Sequence, residues 1–112
     1  MADCIFCKIA KKEIKSNILY EDELVVAFPD INPMAPVHIQ VIPKKHIATF
    51  MDIHSGDAEL QRLIDTVQKL AKEQKLDKGF RVVINCGPDG AQSVYHLHFH
   101  LLGGRQITWP PG

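Results

Sequence analysis

The chain has no surplus charge, no long apolar run and few cysteines, and each lack closes off a class of function. Thirteen Lys and Arg balance thirteen Asp and Glu in 112 residues. No general attraction to nucleic acid or to an anionic membrane is therefore implied, and no nucleic acid polymer is expected as a partner. No apolar run approaches the ~18 residues needed to span a bilayer, and Met1-Ala2-Asp3-Cys4 shows no basic segment followed by an apolar stretch. The expectation is a cytoplasmic protein. Three cysteines, an odd number, argue against a secreted disulfide framework and leave metal binding or plain burial for Cys4 and Cys7. Internal repeats, low-complexity tracts and linkers are also missing. Residues 1–112 read as a single domain, of a size that buries roughly two-thirds of its unfolded surface.

What is present is a set of short elements separated by turn chemistry, an α+β pattern. A short helix over Cys4 to Lys11, capped by Asp3, follows from Ile5, Phe6 and Ile9 at helical spacing. Ile18 to Glu21 and Leu24 to Phe28 read as strands joined tightly through Asp22 and Glu23. Pro33 and Pro36 force a loop from Asp30 to Pro36, because they remove donors and restrict the residues before them. His38 to Ile42 is a third strand, ended by Pro43. The one long helix runs from Asp57 to about Lys75, where Leu60, Leu63, Ile64, Val67, Leu70 and Ala71 keep the i, i+3, i+4 rhythm of a stripe that covers a sheet face. Gly79 suits a C-terminal cap, and Phe80 to Asn85 is an almost continuous apolar strand, expected at the sheet centre. Gly87-Pro88-Asp89-Gly90 then turns the chain, so the next strand is its antiparallel neighbour.

That next strand carries the chemistry. Three of the six histidines fall at every second position of His96-Leu97-His98-Phe99-His100. Strand side chains alternate, so the three imidazoles share one face, roughly 6 to 7 Å apart, while Leu97, Phe99 and Leu101 point to the other. Three polar rings without partners would cost on the order of 1 to 3 kcal/mol each to bury. The run is read as a chemical site.

Ser93-Val94-Tyr95 followed by His96-Leu97-His98-Phe99-His100-Leu101-Leu102 resembles the signature of the histidine triad superfamily. Gly103-Gly104-Arg105-Gln106, Trp109-Pro110-Pro111-Gly112, Asp30-Ile31-Asn32-Pro33, Pro43-Lys44-Lys45-His46 and Ile5-Phe6-Cys7-Lys8-Ile9 resemble its Hint branch, the histidine triad nucleotide-binding proteins. The resemblance covers nearly the whole chain. It implies an antiparallel sheet of about five strands with one long and one short N-terminal helix, continued across a homodimer. It further implies hydrolysis of purine nucleoside phosphoramidates, with AMP as the product and no cofactor required for catalysis. A nucleotide-binding or scaffolding module is the alternative, as is a dinucleoside polyphosphate hydrolase like Fhit, which the Gly-Gly-Arg and Trp-Pro-Pro-Gly tail disfavours.

The same resemblance distributes the roles. His98 is implied as the nucleophile, consistent with an imidazole whose ordinary pKa near 6.5 leaves it neutral and nucleophilic at pH 7. Asn85, Ser93 and His100 are implied around the phosphate, where charge builds in the transition state, and Ser93 also as a proton donor to the leaving group. Ala91 and Gln92 are counted with the substrate-binding residues. His38 is implied as support for the triad, and Asp30 as the acceptor for ribose hydroxyls, which a carboxylate suits. Ile31, Phe6, Ile9 and Phe28 would form the slot for the base, and Trp109 would reach toward the partner's site. Duller readings stand beside these: Asp30 as a turn residue, Phe6, Ile9 and Phe28 as core, Ser93 and Asn85 bonding local backbone, Trp109 as a loose tail. His54 is read as a solvated loop residue. In metal-bearing relatives two such cysteines join two histidines around zinc, here Cys4, Cys7, His46 and His96, a closed four-ligand structural set. The other reading is that Cys4 and Cys7 are small buried hydrophobes.

Overall fold

The computed structural model describes residues 4–112. Helix α1, Ile5–Ala10, begins at Cys4, whose Sγ accepts from the Cys7 N–H at 3.3 Å. Cys4, not Asp3, is thus the cap residue, and Asp3 lies outside the described residues. The strands are β1, Tyr20–Glu21, β2, Val25–Pro29, β3, Val37–Pro43, β4, Phe80–Ile84, and β5, Phe99–Gly103, with the long helix α2 at Ala58–Glu73. A single 3₁₀ turn, Phe50–Asp52, held by a Thr49–Asp52 capping box, leads toward α2. Asp57 precedes α2, but its carboxylate accepts from the His54 N–H and makes no bond to the helix.

The strands form one antiparallel sheet in the order β1-β2-β3-β5-β4. Phe80 to Ile84 is therefore an edge strand, a correction to its expected central place. A continuous apolar run cannot tell a buried strand from an edge that leaves apolar side chains open, and Phe80 and Val82 are 45 and 39 % exposed.

Alternation divides the residues between two faces. Val25, Ala27, Ile39, Val41, Leu97, Phe99 and Leu101 pack with Leu63, Val67, Leu70 and Ala71 of α2 in the main core. Val26, Phe28 and Ile42 turn the other way, onto Phe6, Ile9 and Ala10 of α1. The thin face, covered by a helix of six residues, is the face that carries the histidines.

Candidate active site

The triad begins before the strand does. β5 starts at Phe99, so His96, in a bend, and His98 lie in the approach to it and His100 alone sits in the ladder. Pairing with β3 stops at Val41↔Phe99, beyond which Pro43 offers no N–H and the Leu97 N–H turns to the Ile47 carbonyl. The side-chain alternation survives this departure. Phe6 meets the rings of both His96 and His98 edge-on, while Leu97 and Phe99 lie in the core beneath α2.

Backbone partners place the protons, because a carbonyl can only accept and a backbone N–H can only donate. His98 Nδ1 is 2.8 Å from the His96 carbonyl, so Nδ1–H donates and Nε2 keeps its lone pair. His96 Nε2 is 2.8 Å from the Pro43 carbonyl and donates to it, turning Nδ1 toward the cysteines. His38 Nδ1 accepts from the Met34 N–H at 3.1 Å, which puts its proton on Nε2, 2.9 Å from His100 Nδ1. His100 accepts there, and its own proton is on Nε2. Burial pushes His96 and His100 down to about 4, with neighbouring histidines adding to it and the Pro43 carbonyl and Asp30 respectively opposing it. Burial lowers His98 and His38 as well, against the pull of the His96 carbonyl on His98 and of Asp30 on both. The triad is neutral at pH 7.

Asp30 sits at the exit of β2, beside this network. Its Oδ1 accepts from the Asn32 N–H at 2.8 Å, and its Oδ2 accepts from Gln40 Nε2 at 2.6 Å and lies 3.3 Å from His38 Nε2. Burial alone would raise this carboxyl, but the Asn32 and Gln40 donors and the nearby imidazoles outweigh it and hold it below its ordinary value. Sequence reasoning passed over Gln40. Its signal was a polar residue inside Ile39-Gln40-Val41-Ile42 at the same parity as His38.

Other predicted site residues fall less neatly. Ser93 is exposed in the turn before the triad, as is Ala91, which has φ +61°. Asn85 donates Nδ2 to the Gly90 carbonyl at 2.7 Å, so its amide nitrogen braces the turn. A Cβ at Gly90 would collide with the Cys86 carbonyl in that turn. Gln92 is buried with its Oε1 on the Gly87 N–H and its Nε2 on the Ala48 and Val94 carbonyls. Its side chain thereby holds these loops together. Phe6, Ile9 and Phe28 are buried in the α1 core rather than open as a slot, while Ile31 is 93 % exposed at the rim. Trp109 is 79 % exposed, with Arg81 of β4 over its ring at 5.7 Å. His54 is exposed, as expected.

Behind the triad the four zinc candidates converge. Ligand atoms of Cys4, Cys7, His46 and His96 all lie within 4.8 Å of one another. Cys4 Sγ is 3.3 Å and Cys7 Sγ 3.4 Å from His96 Nδ1, and Cys7 Sγ is 3.2 Å from His46 Nδ1. A tetrahedral Cys₂His₂ zinc has sulfur-to-nitrogen edges of about 3.6 Å, so the residues fit that metal with little movement. The Pro43 carbonyl fixes the His96 ring as an outer partner does in such sites. Burial, with the Cys4 thiol beside it, raises the Cys7 thiol, and zinc binding would displace that proton. Asp30, His38 and His100 also converge within 4.8 Å, but the His38 proton lies between the two rings, which makes this a hydrogen-bonded relay.

A family model described as the HIT domain matches residues 11–107. A 14 kDa zinc-binding protein of Brassica juncea is 52% identical, covering 98% of this chain and 100% of its own. An adenylylsulfatase HINT1 of Arabidopsis thaliana is 50% identical over 96% of this chain and 76% of its own length. Among solved structures, a HIT family hydrolase from Legionella pneumophila superposes with a TM-score of 0.94 at 50% identity, covering 98% of this chain and 100% of that one.

Proposed function

The chain belongs to the HIT domain family, and from that premise we propose that it is a nucleotide-binding hydrolase that cleaves AMP-type phosphoramidates through a nucleotidyl-histidine. The observation that carries this reading is the placement of the His98 proton. With Nδ1–H committed to the His96 carbonyl, the free Nε2 lone pair lies on the face shared with His100 and His38. His98 Nε2 attacks the α-phosphorus as the phosphorus–amine bond breaks, and the amine leaves with a proton supplied through the Ser93 hydroxyl. His100, held by His38, donates Nε2–H to the phosphoryl oxygens. Water then attacks the adduct, releasing AMP and restoring the imidazole.

Asp30 takes the ribose hydroxyls, and Ile31 closes over the base at the rim. Cys4, Cys7, His46 and His96 would hold a zinc ion whose contribution is structural, tying α1 to the end of β3 and to the triad. The exposed Phe80 and Val82 of β4 support a homodimer in which two sheets continue edge to edge. A groove of about 690 Å³ between residues 75–81 and 104–107 lies at the start of that strand. In that dimer the Trp109 tail would reach the partner's site.

The test is His98→Ala. Hydrolysis of an adenosine phosphoramidate should fall below detection while AMP still binds, and unchanged turnover would sink the nucleophile assignment. A second reading, cleavage of adenylyl sulfate, is favoured by the Arabidopsis relative's activity. It uses the same attack with sulfate as the leaving group. Parallel rates on adenosine phosphoramidate, adenylyl sulfate and a diadenosine polyphosphate rank the three.

A further inference from the structure

Gln40 is an anomaly in β3. It lies between Ile39 and Val41 with 9 % of its surface exposed, opposite His100 in one neighbouring strand and Phe28 in the other. Its Oε1 is buried with no hydrogen-bond partner among the described residues. A half-satisfied buried amide destabilises a fold relative to an apolar side chain of the same size. Rotating the amide would not help, because it would set Oε1 against the Asp30 carboxylate. The orientation is fixed by Nε2 donating to Asp30 Oδ2 at 2.6 Å.

That bond decides where a proton goes. His38 Nε2–H has two acceptors within reach, His100 Nδ1 at 2.9 Å and Asp30 Oδ2 at 3.3 Å, and its hydrogen bond runs to His100. A carboxylate is the stronger acceptor of the two. Yet Oδ2, which accepts from Gln40 Nε2, stands farther from His38 Nε2 than His100 Nδ1 does.

We propose that Gln40 is a positioning residue of the catalytic face, which holds Asp30 Oδ2 away from His38 so that His38 donates to His100 Nδ1 and locks the His100 proton on Nε2. Without Gln40, Asp30 captures the His38 proton, His100 Nδ1 loses its donor, and the His100 ring samples both tautomers. Only one of these presents N–H to a phosphoryl oxygen. The consequence for turnover rests on the role of His98 and His100 proposed above; the tautomer consequence does not.

The variant is Gln40→Met, which keeps volume and length and removes donor and acceptor together. Nitrogen-15 NMR of histidine-labelled protein should show His100 as a single Nε2–H tautomer in the parent and as a mixture in the variant. The kcat on adenosine phosphoramidate should fall about tenfold, with KM moving less than about threefold. The melting temperature should be no lower, since an orphaned acceptor has been removed. An unchanged His100 tautomer overturns the proposal, as does a lowered melting temperature with kcat intact, which would make Gln40 merely structural. A parent without phosphoramidase activity would defeat the phosphoramidate reading and still leave the tautomer comparison to decide the role of Gln40.

Discussion

Four imidazoles in this molecule have their protons placed by partners that can act in only one way. The Pro43 and His96 carbonyls and the Met34 N–H set His96, His98 and His38, and His38 sets His100. The Met34 backbone is itself held on its other side, its carbonyl accepting from Arg105 Nη2 at 2.9 Å. At this scale the sharpest test of the proposed ribose contact is Asp30→Asn. A neutral amide loses the charge-assisted bonds to ribose hydroxyls, so AMP affinity should weaken ~10- to 100-fold by calorimetry. The 2′-deoxy nucleotide should show a smaller loss. Equal losses for AMP and its deoxy analogue would place Asp30 outside the ribose site.

Among the elements, the β1–β2 turn and α1 are each held by one polar cluster. Asp22 takes the Leu24 and Val25 N–H groups, the Tyr20 hydroxyl and Arg62 from α2. Burial works to raise its pKa, but these four donors overcome it and bring it to about 2. The folded value lies below the unfolded one of about 3.9. The contribution to stability, on the order of 2 kcal/mol, is complete above about pH 4 and lost as pH falls toward 2. Asp22→Asn should therefore lower stability at pH 7 and flatten its decline between pH 4 and 2, as read by urea denaturation at several pH values. For α1 the anchor is the Cys4, Cys7, His46, His96 set. Purified protein should carry about one zinc per chain by elemental analysis, and Cys7→Ser should lose it and lower the melting temperature by ~5 °C or more. A metal-free parent with the same melting temperature as the variant would return Cys4 and Cys7 to the status of small core residues.

For the whole molecule, the open question at its boundary is the β4 edge. Val82→Lys should convert a dimer into a monomer by light scattering, because a charge on an edge strand blocks edge-to-edge pairing. A parent that is monomeric at micromolar concentration would refute the continuous sheet. The period-two spacing of histidines is enough to place them on one face, and the Leu60 to Ala71 stripe is enough to find the helix packed on the other. The β1–β2 and β4–β5 pairings were legible from their turns, but the edge place of β4 was not, since Phe80 to Ile84 reads the same at a centre as at an apolar edge. Phe6, Ile9 and Phe28 carry no mark that separates a slot from a core. The commitments of Gln92 and Gln40 depend on Ala48 and Asp30, partners brought near only by folding.

The two-sided sheet also works as a guard against error. A slip of one residue in β5 would turn the face carrying His98 and His100 under α2 and put Leu97, Phe99 and Leu101 on the thin face. Such a chain would bury imidazoles in the main core and lose the burial of three large apolar side chains, on the order of 5 kcal/mol. The alternation that assembles the site thus proofreads it: a molecule stable enough to persist has its histidines on the thin face, away from α2.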